Sequence, residues 1–244
     1  MISDNDNGRV RLSFASHQTV KHLVESLRIP HTELGLILVN EHVSDETALL
    51  EAGDQVDIYP PRVHKPDIIC DANLISIDQS KLDQIPPEIL FLLDNHLGKL
   101  AVYLRMLGFD TWYRNDYQDQ ELAEIAEKTN RVLLTRDRGL LMRKSVKAGY
   151  CVRSLMPKQQ LSEVLIRFDL FDKMHPFKRC LRCNSLLEKV DKDLIADRLL
   201  PLTRKYYNEF FICPNCNQIY WQGSHFDRMV GWIETLRQGS QQSE

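Results

Sequence analysis

Residues 88–113, EILFLLDNHLGKLAVYLRMLGFDTWY, decide how the chain reads. After two prolines and Glu88, residues 89–93 are apolar up to Asp94, the pattern of a strand buried on both faces. Residues 97–108 then carry apolar side chains at helical spacing and close on Gly108, and 109–113 form a second strand-like run. The alternation continues through a helix in ELAEIAEK (121–128), a strand in RVLLT (131–135), a helix in GLLMRKSV (139–146), a strand in YCVRS (150–154) and a helix in QQLSEVLIRFDL (159–170). Strands and helices in strict turn predict an α/β domain with a parallel sheet covered on both faces.

Such a sheet concentrates its chemistry at the carboxyl ends of its strands. Asp94 and Asp137 each follow an apolar strand directly, and neighbouring strands lie about 4.8 Å apart, so the two side chains can converge. The strand 109–113 runs into NDYQDQE and brings Asp116, Asp119 and Glu121 to the same edge. Converging carboxylates repel unless a cation neutralises them, and hard oxygen ligands suit Mg²⁺ or Mn²⁺. A metal so held activates water and stabilises charge on a phosphodiester, the chemistry of a nuclease. Asp is also a favoured helix N-cap, and Asp94, Asp119 and Asp137 precede helices by no more than two residues. Capping and ligation therefore stand side by side for each. Arg136 and Arg138, flanking Asp137, and Lys99, in the first helical turn after Asp94, are expected to contact phosphate. Arg105, six residues beyond Lys99, points to another face, and His96 reads as structural.

Upstream, Val10, Leu12 and Phe14 alternate as in a strand. Val20, Leu23, Val24 and Leu27 take helical spacing after Thr19, and Pro30 stops that helix. LGLILVN (34–40) and the turn-then-strand ALLEAGDQVDIYPP (48–61) complete a small α+β unit. The closing L-x-x-GD-x-V-x-I-x-P pattern resembles the β-grasp, ubiquitin-like sulfur carriers. Those carriers are activated at a free Gly-Gly, whereas here the chain continues through Pro60, Pro61 and Arg62, so a docking or stabilising role is expected instead. Residues 63–87, with Pro66, Pro86 and Pro87, read as a linker.

Downstream, Cys180/Cys183 and Cys213/Cys216 are two C-x-x-C pairs, each presenting two thiolates to one ion, and together they fit a structural zinc ribbon. A four-thiolate site leaves no position for a catalytic water, so this zinc is not the catalytic metal. Tyr206, Tyr207, Phe210, Phe211, Tyr220 and Trp221 gather around the second pair as ribbon core or as stacking platforms for unpaired bases. Cys70 and Cys151 have no paired neighbour and read as apolar fill.

Composition sets the class. The chain has 244 residues, 43% apolar and 27% charged, which excludes disorder and leaves room for two cores. Its longest apolar stretch, 89–109, is broken by Asp94, His96, Lys99 and Arg105, and the N-terminus lacks a basic-then-apolar pattern, so neither a membrane span nor a secretory signal is expected. Too few cysteines for a disulfide scaffold point to a reducing compartment, the cytoplasm. Net charge is −3, but residues 1–87 hold 7 Lys/Arg against 14 Asp/Glu, whereas 131–205 hold 18 against 8. An acidic front and a basic middle suggest two modules, the second facing a polyanion.

The blocks LFLLDNHLGKLAVYLRMLGFDTWYRND and DQELAEIAEKTNRVLLTRDRGLLMR, the C-x-x-C pairs and WQGSHFDRM together resemble the Mut-seven C-terminal ribonuclease domain, a PIN-like nuclease family, over about 88–236. The resemblance implies a PIN-like fold, a divalent-metal site and RNA cleavage, with Asp94, Asp116, Asp119 and Asp137 matching the family's acids. It also implies that a ubiquitin-like module can precede the nuclease, and His225 in the last block suggests a role near RNA or at a domain junction. Many PIN nucleases carry a helix-borne Glu and a further acid after a later strand; YCVRS supplies none, and Asp169 and Asp172 lie a helix away. The expected organisation is a β-grasp domain at 8–62, a linker at 63–87, a PIN-like domain at 88–177, and at 178–236 a zinc ribbon and C-terminal helix that complete the nuclease domain. The expected activity is Mg²⁺- or Mn²⁺-dependent hydrolysis of RNA. The competing readings are a non-catalytic binder of RNA, tRNA included, and an adaptor whose β-grasp domain recruits a protein partner.

Overall fold

The computed structural model describes residues 3–6, 9–11, 17–59 and 89–241. Leu12, Phe14, Cys70 and the linker at 63–87 lie outside them. The strand expected around Val10 is β2 (Arg9–Arg11), paired antiparallel with β1 (Ser3–Asp6). After β3 (Gln18–Thr19) comes α1 (Val20–Ser26), whose N-cap Thr19 accepts the His22 N–H on Oγ1. The helix ends before Pro30, because the chain takes a positive φ of 58° at Arg28. Strands β4 (Ile37–Val39), β5 (His42–Ser44) and β7 (Val56–Ile58) form an antiparallel sheet ordered β5-β4-β7, and the short β6 (Leu49–Leu50) pairs with β3. β5 is an element that the sequence reading did not separate. Val20, Val24, Ile37 and Leu50 make the core of this small unit. Its closing turn needs Gly53 at φ 101°, and Asp54 holds the turn by accepting the Glu51 N–H at 2.8 Å.

The second unit is built on four parallel strands: β8 (Phe91–Leu93), β9 (Thr111–Tyr113), β10 (Val132–Thr135) and β11 (Gly149–Cys151). Their order is β9-β8-β10-β11, with Leu92 level with both Trp112 and Leu133, and Leu134 level with Tyr150. Helices α2 (Gly98–Met106) and α5 (Pro157–Arg167) pack on one face against Phe91, Leu93, Leu134 and Tyr150. On the other face lie α3 (Asp119–Thr129) and α4 (Arg138–Leu141), covering Leu92, Leu133 and Cys151. Gly108 closes α2 as expected: it takes φ 94°, and any Cβ there would run into the backbone of His175.

One helix is far shorter than predicted. The run 139–146 gives only the single turn of α4, and the chain then bends through a bond from the Val146 N–H to the Arg143 carbonyl. Val146 is fully buried with Leu140 and Leu141. A continuous helix would carry it about 140° around the axis from Leu141 and out of that core, so burial overrides helical spacing.

The C-terminal part adds an antiparallel sheet of β12 (Glu188–Val190), β13 (Phe210–Ile212) and β14 (Ile219–Trp221), with α6 (Pro201–Tyr206) in the connection between the cysteine pairs. Helix α7 (Ser224–Gln241) then returns to the main core through Met229 and Ile233. Among the described residues, no helix is long and apolar enough to cross a membrane.

Candidate functional site

In the order β9-β8-β10-β11 the connections reverse direction between β8 and β10, and crevices for ligands open at such a switch point, beyond the carboxyl ends of the strands. Asp94 follows β8 and Asp137 lies just beyond β10. Asp94 is 5% exposed; its Oδ1 accepts the His96 N–H at 2.8 Å, and its Oδ2 accepts the Thr135 hydroxyl at 2.6 Å. The same Thr135 oxygen accepts the Asp137 N–H at 2.9 Å. A hydroxyl has one proton and two lone pairs, so Thr135 serves both acids at once and draws the two strand ends together. Asp137 is exposed and caps α4, with Oδ1 accepting the Gly139 N–H at 2.7 Å. Both acids therefore cap helices and also share the switch point.

The other acids sit differently. Asp116 is exposed and paired with the Arg114 guanidinium at 2.6 Å, while Asp119 faces Arg143 at 3.9 Å and Glu121 faces Arg114 at 3.7 Å. Asp119 is the first residue of α3, whose cap is Gln118. Among the described residues, no three acids bring their oxygens within 4.8 Å of one another; the four cysteines alone form such a group. Lys99, Arg136 and Arg138 are exposed near the crevice, and Arg138 lies against the Cys151 thiol, which burial pushes up from its ordinary value.

Two residues with a hand in this edge went unremarked in the sequence. Thr135 is one; its only signal is a hydroxyl two positions before Asp137. Glu163 is the other. It reaches from α5 to the loop after β11, accepting the Tyr150 hydroxyl at 2.9 Å and the Arg153 and Ser154 N–H groups at 2.8 and 2.9 Å. Burial alone would raise its pKa, but these donors prevail and hold it below the usual glutamate range.

The cysteine centre lies at the opposite edge. Cys180 and Cys216 place their sulfurs 3.5 Å apart, and Cys183 and Cys213 place theirs 3.4 Å apart. Four thiolates at about 2.3 Å from one tetrahedral ion would be about 3.8 Å from each other, so the set fits zinc after a small expansion. The two turns repeat one geometry. The Asn184 N–H bonds the Cys180 carbonyl and the Asn217 N–H bonds that of Cys213, and both asparagines take positive φ. Arg105 is buried here, donating through Nε to the Thr111 carbonyl and through its terminal nitrogen to the carbonyls of Leu181 and Arg182. Asp110 binds Arg131 at 2.7 Å, Arg179 at 3.0 Å and Asn184 Nδ2 at 2.9 Å. Burial would raise the Asp110 pKa, but Arg131 and Asn184 outweigh it and hold it low.

His225 is in the first turn of α7. It lines a cavity of about 490 Å³ with Phe177, Tyr207, Trp221 and Phe226, beside Met106 at the far end of α2. The nine residues of α2 separate it from Asp94 by about 12 Å of helix. The structure thus does not bring His225 to the crevice.

A family model described as the Mut7-C RNAse domain matches residues 89–233, more than half of the chain. The chain belongs to the Mut7-C RNAse domain family. A second model, Mut7-C ubiquitin, matches residues 2–65, so the first unit is a ubiquitin-like domain ahead of the Mut7-C domain. No curated protein and no solved structure matches the chain. The Mut7-C domain accordingly contains both the Asp94/Asp137 pair and the four-cysteine centre.

Proposed function

We propose that this protein is a divalent-metal-dependent ribonuclease that hydrolyses phosphodiester bonds in RNA, with a PIN-like catalytic fold. The observation that carries this reading is the Thr135-linked pair Asp94 and Asp137 at the switch point of a Mut7-C RNAse domain. Asp94 and Asp137 would hold Mg²⁺ or Mn²⁺, and Asp116 or Asp119 would give a third ligand after leaving its arginine. Magnesium is commonly held by one or two carboxylates together with substrate phosphates, which suits a crevice with few protein ligands. The ion would supply an activated water and neutralise charge on the scissile phosphate. Lys99, Arg136 and Arg138 orient the phosphate, and Thr135 fixes the spacing of the acids.

The four cysteines hold zinc that stabilises a ribbon, and such thiolates suit the reducing cytoplasm. A second reading, a non-catalytic binder of RNA or tRNA, draws on the arginine partners of Asp116 and Asp119. RNA cleavage by the purified protein with Mg²⁺ or Mn²⁺ decides. The ribonuclease reading expects cleavage that disappears in Asp94→Asn/Asp137→Asn while RNA binding persists. Equal binding without cleavage by either protein selects the binder.

A further inference from the structure

The ubiquitin-like domain reaches the edge of the nuclease sheet through the 3-10 turn His31–Glu33. The Glu33 carboxylate accepts the Cys151 backbone N–H at 3.0 Å and pairs with the Arg153 guanidinium at 2.6 Å. Two residues earlier, His31 Nε2 lies 2.9 Å from the Val146 carbonyl oxygen, so this nitrogen is the donor and the turn is pinned on both sides of β11. The Glu33 side chain is 11% exposed and that of Arg153 is 56% exposed, so the acid is engulfed while the cation still faces solvent.

β11 is an edge strand. The Val152 N–H bonds inward to the Thr135 carbonyl, which leaves the Cys151 N–H directed away from the sheet. An outward N–H beside a guanidinium is a donor set for two oxygens of one anion, as suitable for a phosphodiester as for a carboxylate. The Cys151 thiol lies 4.0 Å from the carbonyl oxygen of Arg136, between Thr135 and Asp137, and Arg138 follows directly, so these donors border the crevice. Burial works to lower the Arg153 pKa, but the Glu33 charge outweighs it, and the guanidinium stays ionised for whichever anion it holds.

We propose that the Cys151 N–H and Arg153, flanked by Arg138, form a binding subsite for an RNA backbone phosphate, and that Glu33 of the ubiquitin-like domain occupies it as a tethered competitor. This rests on the ribonuclease reading and makes the first domain a gate for substrate entry along β11. A carboxylate and a phosphodiester each carry one negative charge, so the exchange leaves the local charge unchanged. The tether gives Glu33 a high effective concentration, which only RNA held elsewhere in the crevice overcomes.

The test compares Glu33→Gln and Arg153→Gln in the full-length protein. Both break the same ion pair, so a merely structural contact would shift RNA binding in the same direction in both. Binding of a labelled single-stranded RNA oligonucleotide is followed by fluorescence anisotropy over a salt series, without added magnesium or manganese. Glu33→Gln is expected to bind about tenfold tighter, the scale of one charge-assisted hydrogen bond. Its log–log salt slope should be steeper by about 0.7, the increment for one more neutralised phosphate on a single strand. Arg153→Gln is expected to bind no tighter than wild type. Unchanged or weaker binding by Glu33→Gln overturns the proposal, as does equal tightening in both variants. If wild type cleaves RNA while Glu33→Gln leaves binding unchanged, the gate falls and the ribonuclease stands; if no variant binds RNA, both fall.

Discussion

Thr135 is fully buried, and its hydroxyl joins the Asp94 side chain, after the neighbouring strand β8, to the Asp137 N–H just beyond its own strand β10. Thr135→Val keeps the shape and removes both bonds, leaving Asp94 Oδ2 short of a donor. A buried hydrogen bond to a charged group contributes about 1.5–3 kcal/mol, so thermal denaturation should show a loss of that order. If the bond positions the acids for catalysis, kcat should fall by about 10- to 100-fold with KM for RNA nearly unchanged, and Thr135→Ser should restore most of it. A fall in stability with kcat intact would remove Thr135 from the catalytic account. Asp94 and Asp137 were legible in the sequence because each ends an apolar strand. Thr135 was not, since a threonine is a normal strand residue and only the register of β8 against β10 reveals its partner.

At the scale of elements, the parallel strands and their covering helices follow from hydrophobic periodicity, which reads well where each element packs on a single core. α4 departs because Val146 needs the core more than the helix needs length. Glu163 escaped notice for another reason: its acid is carried by α5, and the loop it serves belongs to β11. That placement has a pH consequence. A carboxylate with a depressed folded-state pKa adds stability that is fully present above its unfolded value, near 4.5, and is lost as pH falls through the lower folded value. Urea midpoints of wild type should therefore drop more steeply below about pH 4.5 than those of Glu163→Gln. Parallel curves would show that the loop holds without this charge. Tyr150 shares the anchor, its phenol pushed up to about 12 by burial and by Glu163, and so remains a donor throughout that range.

Across the whole molecule, the net positive count over 131–205 overstates the exposed cationic surface. Arg131 and Arg179 are consumed inside by Asp110. These internal partners join the cysteine module to the parallel sheet, with Asn184 donating to Asp110 and accepting the Thr111 N–H on Oδ1. If the four cysteines hold zinc as proposed, a chelator should lower the melting temperature of the Mut7-C domain as a single transition, since a structural metal contributes directly to folding free energy. In Arg105→Ala the cysteine module should melt separately and earlier, seen as two calorimetric steps. Two steps in wild type would mean that the module is an independent appendage. No composition count could have shown this wiring, because its bonds from Arg105 to Leu181 and from Asn184 to Asp110 join residues more than 70 positions apart.

The reach of Glu33 carries a consequence for the growing chain. Its donors, the Cys151 N–H and the Arg153 guanidinium, lie 118 and 120 residues further on. At about 5–20 residues per second, a ribosome needs roughly 6 to 24 seconds to supply them. During that interval the first domain, with its own core of Val20, Val24, Ile37 and Leu50, emerges and folds with its latch turn unoccupied. Nascent protein thus passes through a stage in which the Glu33 side chain is open to other cationic surfaces, and closure waits for the fourth strand of the sheet.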